Sequence, residues 1–270
     1  MKSSLAKCCL CLLAMAAMAE AFCYRKNPLK SQDMDVEQMN QPGNYSIWVC
    51  VKSIDLATDL EKAPKGNISQ IWFSMSTVEK IKNEAFLKFY DKLVKLEIWS
   101  SKLAEIEDGA FKGLRELKGL VLPRNEITVL KASWFRDLSK LLELNLANNR
   151  IASIEIDFLK SVPALINLDL RGNDLVALPT DFVKHLPATL RQLNIFSNPL
   201  NYHQQLQVVE WSKNKDDKLT NEPKMKELKH VLELTKNCLD DKNITDKTNE
   251  AIDKCVDDKL NEEVATAVKS

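Results

Sequence analysis

Apolar residues return along the middle of the chain at one fixed spacing. From Leu93 to Leu200 the blocks read Leu93-Leu96-Ile98-Leu103-Ile106, Leu117-Leu120-Leu122-Ile127-Leu130, Leu141-Leu144-Leu146-Ile151-Ile154, Leu165-Leu168-Leu170-Leu175-Leu178 and Leu190-Leu193-Ile195-Leu200. A block starts every 24 residues or so, and its ninth position holds Ser101, Asn125, Asn149, Asn173 or Asn198. Two apolar residues flanking one other residue, as in Leu144-Asn145-Leu146, predict a short strand with one face turned inward. The ninth residue falls where the chain must bend away, and an Asn amide there can satisfy backbone groups that the bend leaves unpaired. A weaker block, Ile68, Ile71, Phe73, Val78 and Ile81, comes before. Between the blocks lie Phe86 and Phe89, Phe111 and Leu114, Phe135 and Leu138, Phe158 or Leu159 with Val162, and Phe182 with Leu186. A Phe recurring there predicts an apolar spine stacked behind the strands.

The spacing LxxLxLxxNxL resembles the leucine-rich repeat. One coil buries nothing by itself, whereas stacked coils bury a continuous ladder of Leu and need a cap at each end. The expected fold is an α/β repeat: a leucine-rich-repeat solenoid of about six coils over residues 67–200, its short parallel strands lining a concave face. A disulfide-closed cap is expected over 22–66, a C-terminal cap and linker over 201–222, and a helical tail over 223–270.

The flanks supply the caps. Residues 22–43 are polar, contain Pro28 and Pro42, and predict an irregular loop, while Ile47, Val49 and Val51 alternate as a strand that runs towards Leu56. Beyond a charged, loop-like stretch from Ser212 to Lys224, the residues Met225, Leu228, Leu232 and Leu239 share one helical face, with Pro223 suited to the first turn. Ile252, Cys255, Val256, Leu260 and Val264 form a second such stripe. Together they predict a helical hairpin packed on the last coil, with an intermolecular coiled coil as the alternative.

Residues 1–21 carry Lys2 and Lys7, an apolar run from Cys8 to Ala19, and small-x-small sites at Ala17-Met18-Ala19 and Ala19-Glu20-Ala21. This is the pattern of a cleaved secretory signal, with an apolar run too short to span a bilayer. The chain closes on polar Val268-Lys269-Ser270 without a hydrophobic lipid-anchor tail, so a secreted, extracellular protein is expected. Removal of that segment takes Cys8, Cys9 and Cys11 and leaves Cys23, Cys50, Cys238 and Cys255. Four cysteines allow three pairings. Because two precede the coils and two follow them, each end of a rod should close on itself, as Cys23–Cys50 and Cys238–Cys255. Sequons at Asn44, Asn67 and Asn243 fit N-glycosylation of a secreted chain.

Charge narrows the partners. The 38 basic and 38 acidic residues balance, which favours neither nucleic acid nor an anionic membrane. His185, His203 and His230 sit in no metal-ligand or nucleophile motif, and the acid pairs Asp216-Asp217, Asp240-Asp241 and Asp257-Asp258 lie on lysine-rich polar stretches. Only six Gly occur and none forms a phosphate-binding loop, so neither enzyme, metal nor cofactor is expected. Binding through the concave face is the remaining reading. The outward column between the inward pairs runs Trp72, Glu97, Val121, Asn145, Asp169, Asn194, and the next runs Ser74, Trp99, Pro123, Ala147, Arg171, Phe196. Trp72 and Trp99 should be diagonal neighbours, an exposed aromatic pair of the kind that anchors interfaces, unless the N-terminal loop covers them. Asp169, Arg171, Arg191 and Phe196 form a mixed patch further along, and Arg124 and Asn145 complete the candidate surface.

After Ile195 the run Asn198-Pro199-Leu200-Asn201-Tyr202-His203-Gln204-Gln205-Leu206, with Trp211 beyond, resembles the C-terminal cap motif NPxxCxCxLxxxxxW of extracellular leucine-rich-repeat proteins. Tyr202 and Gln204 stand where that motif has cysteines. A signal segment, a single-cysteine-pair N-cap, about six coils, an altered C-cap and a helical tail together resemble the leucine-rich-repeat immune proteins of insects, notably mosquitoes. The resemblance implies a circulating factor that binds a complement-like thioester protein or a pathogen surface. Better-studied members carry a long coiled coil and extra cysteines for covalent dimers. This chain, with short helices and an even cysteine set, is closer to a coil-less relative, monomeric or non-covalently dimeric. An extracellular matrix or receptor-ligand role is the alternative.

Overall fold

A computed structural model describes residues 21–26, 46–64, 68–213 and 225–269. The expected signal segment up to residue 20, the sequons at Asn44 and Asn67, and Pro223 lie outside these residues. Asn243, in the third sequon, is exposed.

Eight strands form one sheet in the order β1 (Phe22–Lys26), β2 (Ser46–Val51), β3 (Ile68–Ser74), then past the two-residue β4 (Lys80–Ile81) to β5 (Lys95–Trp99). The sheet continues, past β6 (Glu105–Ile106), with β7 (Gly119–Val121) and, past β8 (Val129–Leu130), with β9 (Glu143–Asn145). Past β10 (Ser153–Ile154) it ends with β11 (Asn167–Asp169) and β12 (Gln192–Asn194). Every pairing from β2 onward is parallel, with a register shift between Ser46 and Ile47 in β2–β3 and with Leu96, Leu120, Leu144, Leu168 and Leu193 opposite one another. The small strands form two further parallel pairs, β4 with β6 and β8 with β10.

Inward Leu and Ile from successive coils merge into one continuous core. Phe86, Phe111, Phe135, Phe158 and Phe182 are fully buried behind it, with ring centroids 6.1 Å apart for Phe86–Phe111 and 5.3 Å for Phe135–Phe158. The spine read from the sequence is therefore built, stacked at Phe86–Phe111 and tilted at Phe135–Phe158.

The bend after each strand has a shared solution. Lys52, Met75, Ser100, Arg124, Asn148, Gly172 and Ser197 all adopt positive φ, one per coil, a left-handed turn that only Gly, and to a lesser degree Asn, enters at low cost. The next residue holds the bend. Asn149 Nδ2 donates to the carbonyls of Leu122 and Leu146, both at 2.9 Å, while its Oδ1 accepts from Ile127 N at 3.2 Å. Asn125, Asn173 and Asn198 repeat the pattern. In the early coils hydroxyls substitute: Ser101 N donates to Asn125 Oδ1, Ser76 N to Ser101 Oγ, and Ser53 N to Ser76 Oγ. A polar ladder thus runs the length of the solenoid at Ser53, Ser76, Ser101, Asn125, Asn149, Asn173 and Asn198.

The N-terminal cap differs from the loop read for it. Phe22–Lys26 is an antiparallel edge strand on β2, and Cys23 is bonded to Cys50 across that pair. The strand read from Ile47 to Leu56 stops at Val51, and helix α1 (Leu56–Lys62) follows. Asp55 caps it by accepting from Ala57 N and Thr58 N, and Leu56 and Leu60 are buried. Two more helical turns, α2 (Phe158–Ser161) and α3 (Phe182–His185), line the return side.

At the other end, α4 (Tyr202–Lys213) extends the fold where the altered cap motif lies, so Ser212 and Lys213, read as linker, are helical. Its Val208 and Trp211 pack into the solenoid core, while Leu206 and Val209 meet Leu232 of α5 (Met225–Asp240). Helix α6 (Asn249–Lys269) returns antiparallel to α5, with Leu234, Cys238, Ile252 and Val256 buried between them and Cys238 bonded to Cys255. The hairpin therefore packs on α4, and α4 packs on the last coil. Val264, read as part of the apolar stripe, is 63% exposed, so the stripe ends at Leu260. The side chains of Met225 and Leu228 lie outside the described residues. Among the described residues no helix is long and apolar enough to cross a membrane.

Candidate functional site

Strand register builds the concave face directly. Because side chains alternate, the partners Tyr24, Val49, Trp72, Glu97, Val121, Asn145, Asp169 and Asn194 form a central column. Beside it run Lys26, Ile47, Gln70, Lys95, Gly119, Glu143, Asn167 and Gln192.

The two tryptophans are diagonal neighbours, with Trp72 opposite Glu97 and Trp99 opposite Ser74, but only one is an exposed anchor. Trp99 is 45% exposed. Trp72 is half-buried, with the Lys26 ammonium 5.6 Å from its ring centroid, a cation–π contact. Its indole N–H is enclosed without an acceptor among the described residues. The exposed pair expected from the sequence is thus corrected to Trp99 alone, because an edge strand places Lys26 over Trp72. Phe22 and Tyr24, on that same strand, are exposed and stacked with centroids 5.7 Å apart.

Asn145 and Asp169 lie in the central column. Arg171 and Phe196 follow one another in the next column, where Gly172 N donates to Phe196 O. Arg171 Nε pairs with Asp169 at 3.2 Å. Two candidates stand apart from both columns. Arg124 occupies the left-handed bend beyond the strand ends, and Arg191 precedes β12, its N–H donating to Ile166 O. They sit on opposite rims, so the eight candidates do not form one patch.

The middle of the floor holds a charged arrangement that the column reading left out. Lys95 Nζ lies 2.9 Å from Glu97 and 3.6 Å from Glu143, two strands away. It crosses the intervening strand over Gly119, where a Cβ would stand 2.9 Å from Lys95 Cγ. Burial pulls the Lys95 ammonium down, and the carboxylates of Glu97 and Glu143 override it, holding it above the ordinary lysine value. The only sequence signal is a Gly among polar residues in that column.

At the far end, Tyr202 N donates to Asp253 at 3.0 Å and Tyr202 Oη to Asp257 at 3.1 Å, so α6 carboxylates meet the first turn of α4. An open cleft of about 470 Å³ runs beside them, past Val176, Asn198 and Gln205. His185 and His230 are exposed, and His230 pairs with Glu263 at 2.7 Å.

The leucine rich repeat model matches this sequence over residues 91–151 and 139–200. No curated protein matches the chain. Among solved structures, similarity is found to the LRIM1/APL1C complex, with 22% identity and a TM-score of 0.48 over 57% of this chain and 29% of that one. The complex of Toll with Spatzle, described as a molecular hub in Drosophila development and innate immunity, gives 24%, 0.46, 50% and 19% in the same order. The octameric complex of Latrophilin 3, Unc5D and FLRT2 gives 25%, 0.44, 50% and 41%. This chain thus spans under a third of the LRIM1/APL1C chain it aligns with. The repeat match, the parallel ladder and the two cysteine pairs together make the chain a leucine-rich-repeat solenoid with a disulfide-closed N-terminal cap and a helical C-terminal segment.

Proposed function

We propose that this chain is a secreted, non-enzymatic binding module that holds another secreted protein against the N-terminal half of its concave face. The observation that carries the reading is Trp99: a large aromatic side chain, 45% exposed, opposite Ser74 and beside the strand of buried Val121. An exposed, rigid aromatic held on a strand is a common centre of a binding hot spot. Met75, 61% exposed at the adjacent bend, adds adaptable apolar surface.

The finer reading rests on the resemblance to insect immune proteins. The partner is a complement-like thioester protein in body fluid, the leader is removed at about residue 21, Asn243 carries a glycan, and the mature chain is a monomer or a non-covalent dimer. Affinity capture of the tagged protein from body fluid, followed by mass spectrometry, tests this. One dominant thioester protein supports the reading, whereas retention of the protein in tissue, with no soluble partner, favours the matrix or receptor-ligand role. With the captured partner in hand, Trp99→Ala is expected to weaken binding by about 2 kcal/mol with no change in melting temperature. Unchanged affinity on a calorimetric titration places the anchor elsewhere.

A further inference from the structure

We infer that the C-terminal half of the concave face is a site for an extended, neutral chain of β-linked pyranoses. The inference shares with the protein-binding reading the premise that the concave face is the working surface, but it uses the opposite half.

The side-chain chemistry changes abruptly along the floor. Past Val121 the central column becomes Asn145, Asp169, Asn194, and the column beside it Glu143, Asn167, Gln192. Asn145, Asp169 and Asn194 share a geometry. Each side-chain oxygen accepts from the backbone N–H two residues on, at 3.0 Å from Ala147, 3.1 Å from Arg171 and 3.4 Å from Phe196. That contact fixes the amide plane and leaves Nδ2 of Asn145 and Asn194 as donors without a partner among the described residues. The amides of Asn167 and Gln192 likewise take no partner among them.

Of the two carboxylates in this grid, Asp169 has its own cation and Glu143 shares Lys95 with Glu97. Glu143 faces Lys95 at 3.6 Å and Asp169 faces Arg171 at 3.2 Å. The floor therefore offers several fixed donors and acceptors with at most one net negative charge, which disfavours a sulfated ligand. Amides present a donor and an acceptor side by side, the complement of vicinal hydroxyls. Strands lie about 4.8 Å apart and alternate residues about 6.6 Å apart along a strand, so each strand step is close to one pyranose ring in an extended β-linked chain. Phe196, half-buried at the end of the next column, supplies an apolar ring for the C–H face of a sugar. A protein partner would find no exposed aromatic anchor in this half.

Isothermal titration of the full secreted chain with cellohexaose and chitohexaose, and with an α-linked dextran oligomer of equal length, tests the inference. Saturable binding of at least one β-linked hexamer but not of dextran is expected. The double variant Asn167→Ala/Gln192→Ala breaks no internal hydrogen bond, so the fold should persist, and affinity should fall about tenfold for two lost neutral hydrogen bonds. Asn194→Asp keeps the acceptor of the turn, removes the donor and should weaken binding as well. Trp99→Ala should leave sugar binding intact, which separates this site from the protein-binding one. No saturable heat with either hexamer, equal binding of dextran, or affinity unchanged in both variants overturns the inference, and none of these bears on capture of a protein partner.

Discussion

Asn149 shows how much of this fold rests on single side chains. Its amide bridges the carbonyls of two coils and its oxygen takes the N–H of Ile127, at a position with 7% exposure where water cannot substitute. Asn149→Ala should therefore cost about 2 kcal/mol, because the buried Ile127 N–H loses its partner outright while the carbonyls of Leu122 and Leu146 each lose one of two donors and keep Asn125 and Asn173; urea unfolding of the wild type and variant measures this directly. The role of that Asn was legible in the sequence, since the ninth position recurs and the chemistry of a bend demands an amide. Trp72 was not. Its burial depends on Lys26, and nothing in the chain before Cys50 announced that Phe22–Lys26 would pair as a strand. The ion-paired Lys95 was hidden for a similar reason: its partner Glu143 is 48 positions away and reachable only because Gly119 leaves the space between open.

Among the elements, α4 escaped the sequence reading while the hairpin after it did not. A helix that buries one stripe announces itself by period, as the α6 residues Ile252, Val256 and Leu260 do. Helix α4 buries two sides, with Val208 and Trp211 turned to the coils and Leu206 and Val209 to the hairpin, and the two stripes blur one another. Its contact with α6 is also where pH enters. Burial raises the Asp253 carboxyl above its ordinary value of 3.8, with the Asp257 charge adding to the rise and the Tyr202 N–H and His203 opposing it. A carboxyl raised on folding stabilises docking fully below its unfolded pKa, and that contribution is lost as pH rises through the folded value. Docking of the hairpin should thus loosen as pH climbs away from about 4. In Asp253→Asn, which keeps an oxygen for Tyr202 N, hydrogen exchange of α5 and α6 should lose that dependence, with variant and wild type converging in acid. Identical pH profiles in the two proteins would show that Asp253 does not couple the hairpin to pH.

Taken as a whole molecule, the coils were readable because every one of them solves the same problem with the same residues. The caps solve different problems once each, so no period betrays them, and the candidate surface inherits that division. Two columns of β5 to β12 followed from the repeat alone, whereas the column of Lys95 was passed over and the rim positions of Arg124 and Arg191 depended on where each bend falls. The two disulfides join Cys23 to Cys50 and Cys238 to Cys255, spans of 27 and 17 residues that both stay outside the coils. Among the described residues no covalent link crosses the repeats, so the length of the rod is free to drift. Removing residues 142–165 rejoins Leu141 to Ile166, where Leu165 stood before, and should give a shorter folded protein with both bridges intact and a lower melting temperature. A deletion of half a coil should leave no cooperatively folded protein. Lineages carrying this gene could then gain or shed whole coils by unequal crossing-over, resizing the concave face while both ends stay sealed.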